Sequence, residues 1–178
     1  MLPAGPLMIE HRLIERMIAV MDRHRNDIEN GTSPDNALLD AIVDFLRTYA
    51  DRCHHGKEED LLFTALKSKP MTPDMVMAMD RLIDDHARSR ALVRRLGESN
   101  ARSRGGDASA TGDITEAIAG LVSIYPDHIR REDKEFFPAA MKYLTKEESD
   151  VMLSEFREFD RKLIHEKYVA VVEGAEKR

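Results

Sequence analysis

The chain has 178 residues, of which 27 are Lys or Arg and 33 are Asp or Glu, for a formal net charge of -6. That length suits one domain whose core is stable without disulfides, and the single cysteine, Cys53, points to a reducing, cytoplasmic setting. The acidic balance offers no basic field for nucleic acid or an anionic membrane surface. No apolar run approaches the ~20 residues that span a bilayer, and the N-terminal MLPAGPLMIEH lacks the basic and long apolar segments of a secretion signal.

Apolar residues recur with helical period throughout. A first helix over 7–29 carries Leu7, Ile14, Ile18 and Met21 on one face with His11 among them, while His24 falls about 220° around the cylinder from His11 and reads as surface. NGTSPDN breaks this helix, and Pro34 is suited to open a second, whose stripe runs Ile42, Leu46, Ala50, His54, Glu58, Leu61, Ala65. After KSKPMTP, Thr72 can cap and Pro73 begin a third, with Met79, Ile83, His86, Arg90 and Val93 on one face. GESNARSRGGDASATGD is small, polar and glycine-rich, and reads as a flexible connection between two halves. The fourth helix presents Ile114, Ala117, Leu121, Tyr125, His128, Glu132 and Glu135, with a kink expected at Pro126. TKEE at 145–148 is a capping box that starts a fifth, with Met152, Phe156, Phe159 and Leu163 in its stripe. No segment reads as a strand. The expectation is an all-α, up-down-up-down four-helix bundle over about 7–142 with an additional C-terminal helix over about 145–174, one domain across 1–178.

The histidines repeat in register. His86 follows His11 by 75 positions, His128 follows His54 by 74, and Glu132 follows Glu58 by 74. Glu10 and Asp85 precede the lone histidines, and bulky apolar pairs, Leu62-Phe63 and Phe136-Phe137, follow the glutamates. This is an internal duplication of a helical hairpin. Two such hairpins packed antiparallel bring both histidine and HxxxE sets together in the core.

In HxxxE the imidazole and carboxylate lie one turn apart on the same helix face, so both reach one region. Nitrogen and oxygen donors without thiolate suit iron or manganese, with zinc also accommodated, and a carboxylate can bridge two ions. His11, His54, Glu58, His86, His128 and Glu132 are therefore the expected metal ligands. An HxxxE pair is commonly an exposed helix pair and a lone inward histidine a hydrogen-bonded core residue, but neither explains repetition in register.

These residues resemble the hemerythrin family, specifically its bacterial and archaeal HHE cation-binding branch. The resemblance covers about residues 9–140 and is carried by EHRLIE at 10–15, HHGKEEDLLF at 54–63, DDHARSR at 84–90 and HIRREDKEFFP at 128–138. It implies two iron ions, oxo- or hydroxo-bridged, held by the same six residues, with Glu58 and Glu132 as the bridging carboxylates. The oxygen carriers of the family place a second histidine four residues after the first in the third helix, where this chain has Arg90. The expected substitute is His165 in EFDRKLIHEKY, with Tyr125 as an alternative ligand, hydrogen-bond donor or packing residue. The carriers also use an aspartate five residues after the last histidine, which here is Asp133; internal symmetry with Glu58 favours Glu132. By phase, His55 and Glu59 face about 100° away from the stripe and read as exposed or lying behind the ligands. Glu15 reads as the partner of a basic neighbour and Cys53 as a small buried filler.

The functional expectation is a di-iron protein that binds, senses or reduces a small oxidant, dioxygen or peroxide. The missing carrier histidine favours turnover of a peroxidase, catalase or oxidase kind. The alternatives are an iron-handling protein, although relatives of that kind carry an added cysteine-bearing N-terminal domain, and a metal- or oxygen-responsive regulatory module acting through a separate partner.

Overall fold

The computed structural model describes residues 2–161 and 164–177, with all their side chains except those of Phe159, Ile164 and Glu166. Its helices are α1 (Ala4–Glu29), α2, a continuous rod over 36–67, α3 (Pro73–Arg104), α4, a second rod over 110–140, α5 (Lys146–Asp160) and α6 (Ile164–Glu176). Among the described residues there is no strand, and no helix is long and apolar enough to cross a membrane. The all-α bundle that the periodicity predicts is what forms.

Helix starts follow local chemistry. Thr72 accepts the Met75 N–H in front of Pro73, and Thr145 and Glu148 form the predicted capping box. α2 begins at Asn36 rather than Pro34, because the Asp35 carboxylate accepts the N–H groups of both Ala37 and Leu38. The predicted flexible connection is largely helical: α3 runs on through Arg104, and only 105–109 joins it to α4. The reason is tertiary. Asn100, buried against α2, donates to the Asn36 carbonyl at 3.1 Å and to Asp40 Oδ1 at 2.8 Å, while Asn36 donates to Asn100 Oδ1 at 2.8 Å. Gly106, at φ +89, supplies the left-handed residue of the remaining turn. The single C-terminal helix expected over 145–174 is two, α5 and α6. Met152 and Phe156 are buried as expected, whereas the Phe159 side chain and Leu163 lie outside what is described.

α4 packs on α1 and α3, and α2 on α3. α6 lies against both α1 and α2, where the buried Tyr168 donates to Asp44 Oδ2 at 2.6 Å and meets the Phe45 ring at 5.6 Å. The apolar interior forms two clusters. One gathers Ile14, Met17, Ile42, Leu121 and Tyr168, and the other Leu7, Phe63, Leu66, Phe137 and Phe156. Along α1, α2, α3 and α4 the four repeated histidines lie between them.

Three stretches depart from α-geometry. Leu46–His55 and Lys57–Phe63 in α2, and Glu132–Phe136 in α4, are π-helical, with the wider turn of i→i+5 hydrogen bonding. In α4 the cause is readable: Pro138 has no N–H for the Lys134 carbonyl, so the preceding turn cannot close as an α-turn. In α2 the Thr64 hydroxyl donates to the Glu59 carbonyl at 3.0 Å where the chain returns to α. The altered phase decides two expectations. Of the exposed or rear position expected for His55 the exposed one is ruled out, since it is 2 % exposed, and Glu135 is turned out to Arg130 rather than inward, while Asp133 is buried.

His24 is also buried, at 7 % exposure, and its Nε2 accepts the Asp35 N–H at 3.2 Å. α1 wraps far enough toward the start of α2 to cover a position that helix phase alone places outside. Burial lowers the pKa of His24 from its ordinary value. The unfolded chain therefore binds a proton more readily than the native one, so stability falls as pH drops below the ordinary histidine value of about 6.5. Replacing His24 by Gln, which can keep an acceptor there, should flatten this part of the acid limb in denaturant titrations from neutral to mildly acidic pH.

Candidate metal centre

The structure brings His11, His54, Glu58, His86, His128 and Glu132 into one buried layer, each at most 2 % exposed. α1 supplies His11, α2 His54 and Glu58, α3 His86, and α4 His128 and Glu132. Glu58 faces His54 Nε2 through Oε1 and His86 Nε2 through Oε2, each at 3.5 Å. Glu132 Oε2 lies 3.2 Å from His11 Nε2 and 3.1 Å from His128 Nε2. Each glutamate thus spans a histidine of its own helix and one of the other half.

The rear nitrogen of each ring faces a carboxylate. His11 Nδ1 donates to Asp133 at 2.7 Å, His54 Nδ1 to Glu10 at 2.8 Å and His86 Nδ1 to Glu59 at 2.7 Å, while His128 Nδ1 faces Asp85 Oδ2 at 3.6 Å. Every one of these carboxylates meets a cation in turn: Arg12 on Asp133, Lys57 on Glu10, Arg131 on Asp85, and Arg90 on Glu59 at 2.7 Å. The duplication extends to this outer layer. Glu10 and Asp85 serve a histidine of their own half, whereas Glu59 and Asp133 each serve one of the other half. Phe63 stacks on His86 with centroids 6.2 Å apart, and Phe137, 74 positions later, stacks on His11 at 5.9 Å.

A carboxylate behind Nδ1 leaves Nε2 as the free lone pair, the arrangement that orients a metal-binding imidazole. All buried side-chain nitrogen and oxygen atoms without a hydrogen-bond partner among the described residues belong to this layer: His11 Nε2, His54 Nε2, His128 Nδ1 and both oxygens of Glu58 and Glu132. Such orphans are costly in a dry interior unless something else satisfies them. Electrostatics agree. Burial and the Glu132 charge push Glu58 well up, and burial with neighbouring His11 and His55 pushes His54 well down. Against the opposing effect of burial, Glu132 and Asp85 raise His128 to about 9. Two carboxylates crowded into low dielectric, beside a His54 kept neutral and a His128 that holds its proton against burial, form a set in which a bound cation would take the proton's place.

The remaining sequence expectations fall elsewhere. The structure does not bring His165 to the six. Its Nε2 lies 2.8 Å from Asp160 and its Nδ1 pairs with the Tyr49 hydroxyl at 3.0 Å, in a group with Glu10 and Cys53 into which the buried Lys57 ammonium also reaches. Tyr125 pairs with the Ser89 hydroxyl at 3.0 Å, with its ring 6.5 Å from His128. Glu15 bonds Arg12 at 3.0 Å. Sequence reasoning missed His55 and the full role of Lys57, Asp133, Glu59 and Arg131. Part of the signal was present: Lys57 and Arg131 are 74 apart, as are Glu59 and Asp133. The unbroken four-residue spacing from Ile42 to Glu58 was another sign, because in an α-helix such a stripe drifts by about 40° at each step.

Fold and site together define a cation-binding helical bundle. The model of the hemerythrin HHE cation-binding domain matches residues 5–140 and, in a second placement, 80–175. The two placements start 75 positions apart, the spacing of the internal repeat. No curated protein and no solved structure matches the chain. The chain belongs to the hemerythrin HHE cation-binding family.

Two outcomes follow from the outer layer. Lys57→Met leaves Glu10 buried without its cation and should cost about 3–5 kcal/mol in denaturant unfolding. Burial pushes the Cys53 thiol up to about 12, so iodoacetamide should leave it unmodified in the native protein under mildly alkaline conditions and alkylate it once the chain is unfolded.

Proposed function

We propose that this protein is a non-haem di-iron protein that binds, senses or reduces dioxygen or peroxide. The observation that carries the reading is the convergence of imidazole nitrogens and both glutamate carboxylates as unpartnered atoms in one dry layer. His11 and His54 would hold one ion, His86 and His128 the other, with Glu58 and Glu132 between them. Bound iron would supply the redox change and the open coordination that a small oxidant requires.

The rest of the work falls to the chain. The four carboxylates behind the rings hold each imidazole in the tautomer that presents a lone pair inward, and their electron donation raises the basicity of the rings. Phe63, Phe136 and Phe137 close one side of the layer and keep water from it. On the other side a cleft of about 240 Å³, lined by Leu46, Arg47, Asp51, Ser89, Arg90, Val93 and Arg94, reaches the residues behind His55 and His86. Its size suits a small ligand, and its arginines suit an anionic one.

Metal analysis joined to an optical spectrum tests the reading. Two irons per chain with the near-ultraviolet charge-transfer absorption of a bridged ferric pair are expected. A single zinc, or protein that stays metal-free when offered ferrous iron, would overturn it. Consumption of peroxide by the iron-loaded protein would favour turnover, and a stable, fully reversible oxygen adduct without it would favour carriage.

A further inference from the structure

We propose that His55 is a third imidazole ligand at the metal position formed by His86 and His128. The assignment rests on the paired-metal reading above and concerns which residue completes one of its two positions.

Three observations converge on it. His55 is buried beside His86, their rings parallel within 13° and 3.8 Å apart at the centroids, and ligand atoms of His55, His86 and His128 all lie within 4.8 Å of one another. Behind it stands the same support that the other four rings have: Nδ1 faces Asp51 Oδ1 at 3.3 Å, and Asp51 accepts from Arg90 Nε at 2.7 Å. Arg90 therefore braces two carboxylates, Asp51 behind His55 and Glu59 behind His86. A ligand needs one ring nitrogen to spare. His55 is held through Nδ1, on Asp51, which leaves Nε2 to serve as its ligand atom, whereas His165 has both nitrogens engaged, by Asp160 and Tyr49.

The π-turns explain how neighbours in sequence can serve one centre. In an α-helix His54 and His55 diverge by about 100°, but the wider turn of Leu46–His55 keeps both buried, one toward His11 and the other toward His86. The duplication shows that this residue is an addition to the repeat. The position 74 residues after His55 is Ile129, a buried aliphatic side chain. The two metal positions are therefore unequal, with three imidazoles at one and two at the other, and Arg90 trades a ligand on α3 for a brace that supports one on α2.

Cobalt(II) titration of the full chain tests the assignment, since its ligand-field bands report each position and its binding can be competed by a chelator. Wild type and His165→Gln should take up two cobalt ions, whereas His55→Gln should hold one of the two at least about tenfold more weakly. His55→Gly should recover the second ion on addition of imidazole. Should His55→Gln fail to fold by circular dichroism, the cobalt-loaded wild type gives the answer directly. Its paramagnetically shifted, exchangeable imidazole N–H resonances should number five. Four such resonances, or wild-type cobalt affinity in both His55 variants, would overturn the role of His55 while leaving the paired centre standing. Uptake of fewer than two ions by wild type would overturn the paired centre itself.

Discussion

Four imidazoles and two carboxylates held in a buried layer of a helical bundle impose the terms on which everything around them is arranged. Burying such groups without partners costs several kcal/mol each on any reasonable scale. The chain meets most of this cost on the outside of the layer, through carboxylates behind the rings and cations behind the carboxylates, and leaves both glutamates and the inward nitrogens of His11 and His54 unmet. That division is the mark of a site built for an ion. A layer meant only to be stable would have its inward atoms paired as well.

The apolar clusters on either side take their shape from this layer. Phe63 and Phe137 lie flat on His86 and His11, so the same side chains that fill the core also seal the donors from solvent. The π-turns serve the same end. They let His54, His55, Lys57 and Glu58 all be buried along one stretch of α2, which an α-helix would spread around its circumference. Departures from regular helix geometry fall on segments that carry the buried histidines and glutamates, as such turns often fall on functional sites.

The near two-fold repeat gives the site its symmetry, and the exceptions to the repeat give it direction. Lys57 and Arg131 are equivalent, but Lys57 also reaches Asp160 at the end of α5, which brings the C-terminal helices to the His54 side alone. Arg90, where a carrier has histidine, stands opposite His55 with its head on Asp51 and Glu59. The two halves thus present unlike surroundings to one centre.

Much of this was legible in the sequence, because a helical period and a repeat offset are one-dimensional quantities. The bundle, the helix caps at Thr72 and Thr145, and the inward placement of His11, His54, Glu58, His86, His128 and Glu132 follow from spacing alone. What spacing could not decide was phase inside the π-turns, where the angle per residue changes. For this reason His55 reads from sequence as exposed or behind the ligands, and Glu135 as inward. Nor could it decide the pairings between distant segments: Glu59 with His86, Asp133 with His11, Asn100 with Asn36, and His165 with Asp160 rather than with the centre. Local sequence determined which residues turn inward together wherever the helix is regular. The tertiary structure decided which of them meet, since that depends on how the helices wind and dock.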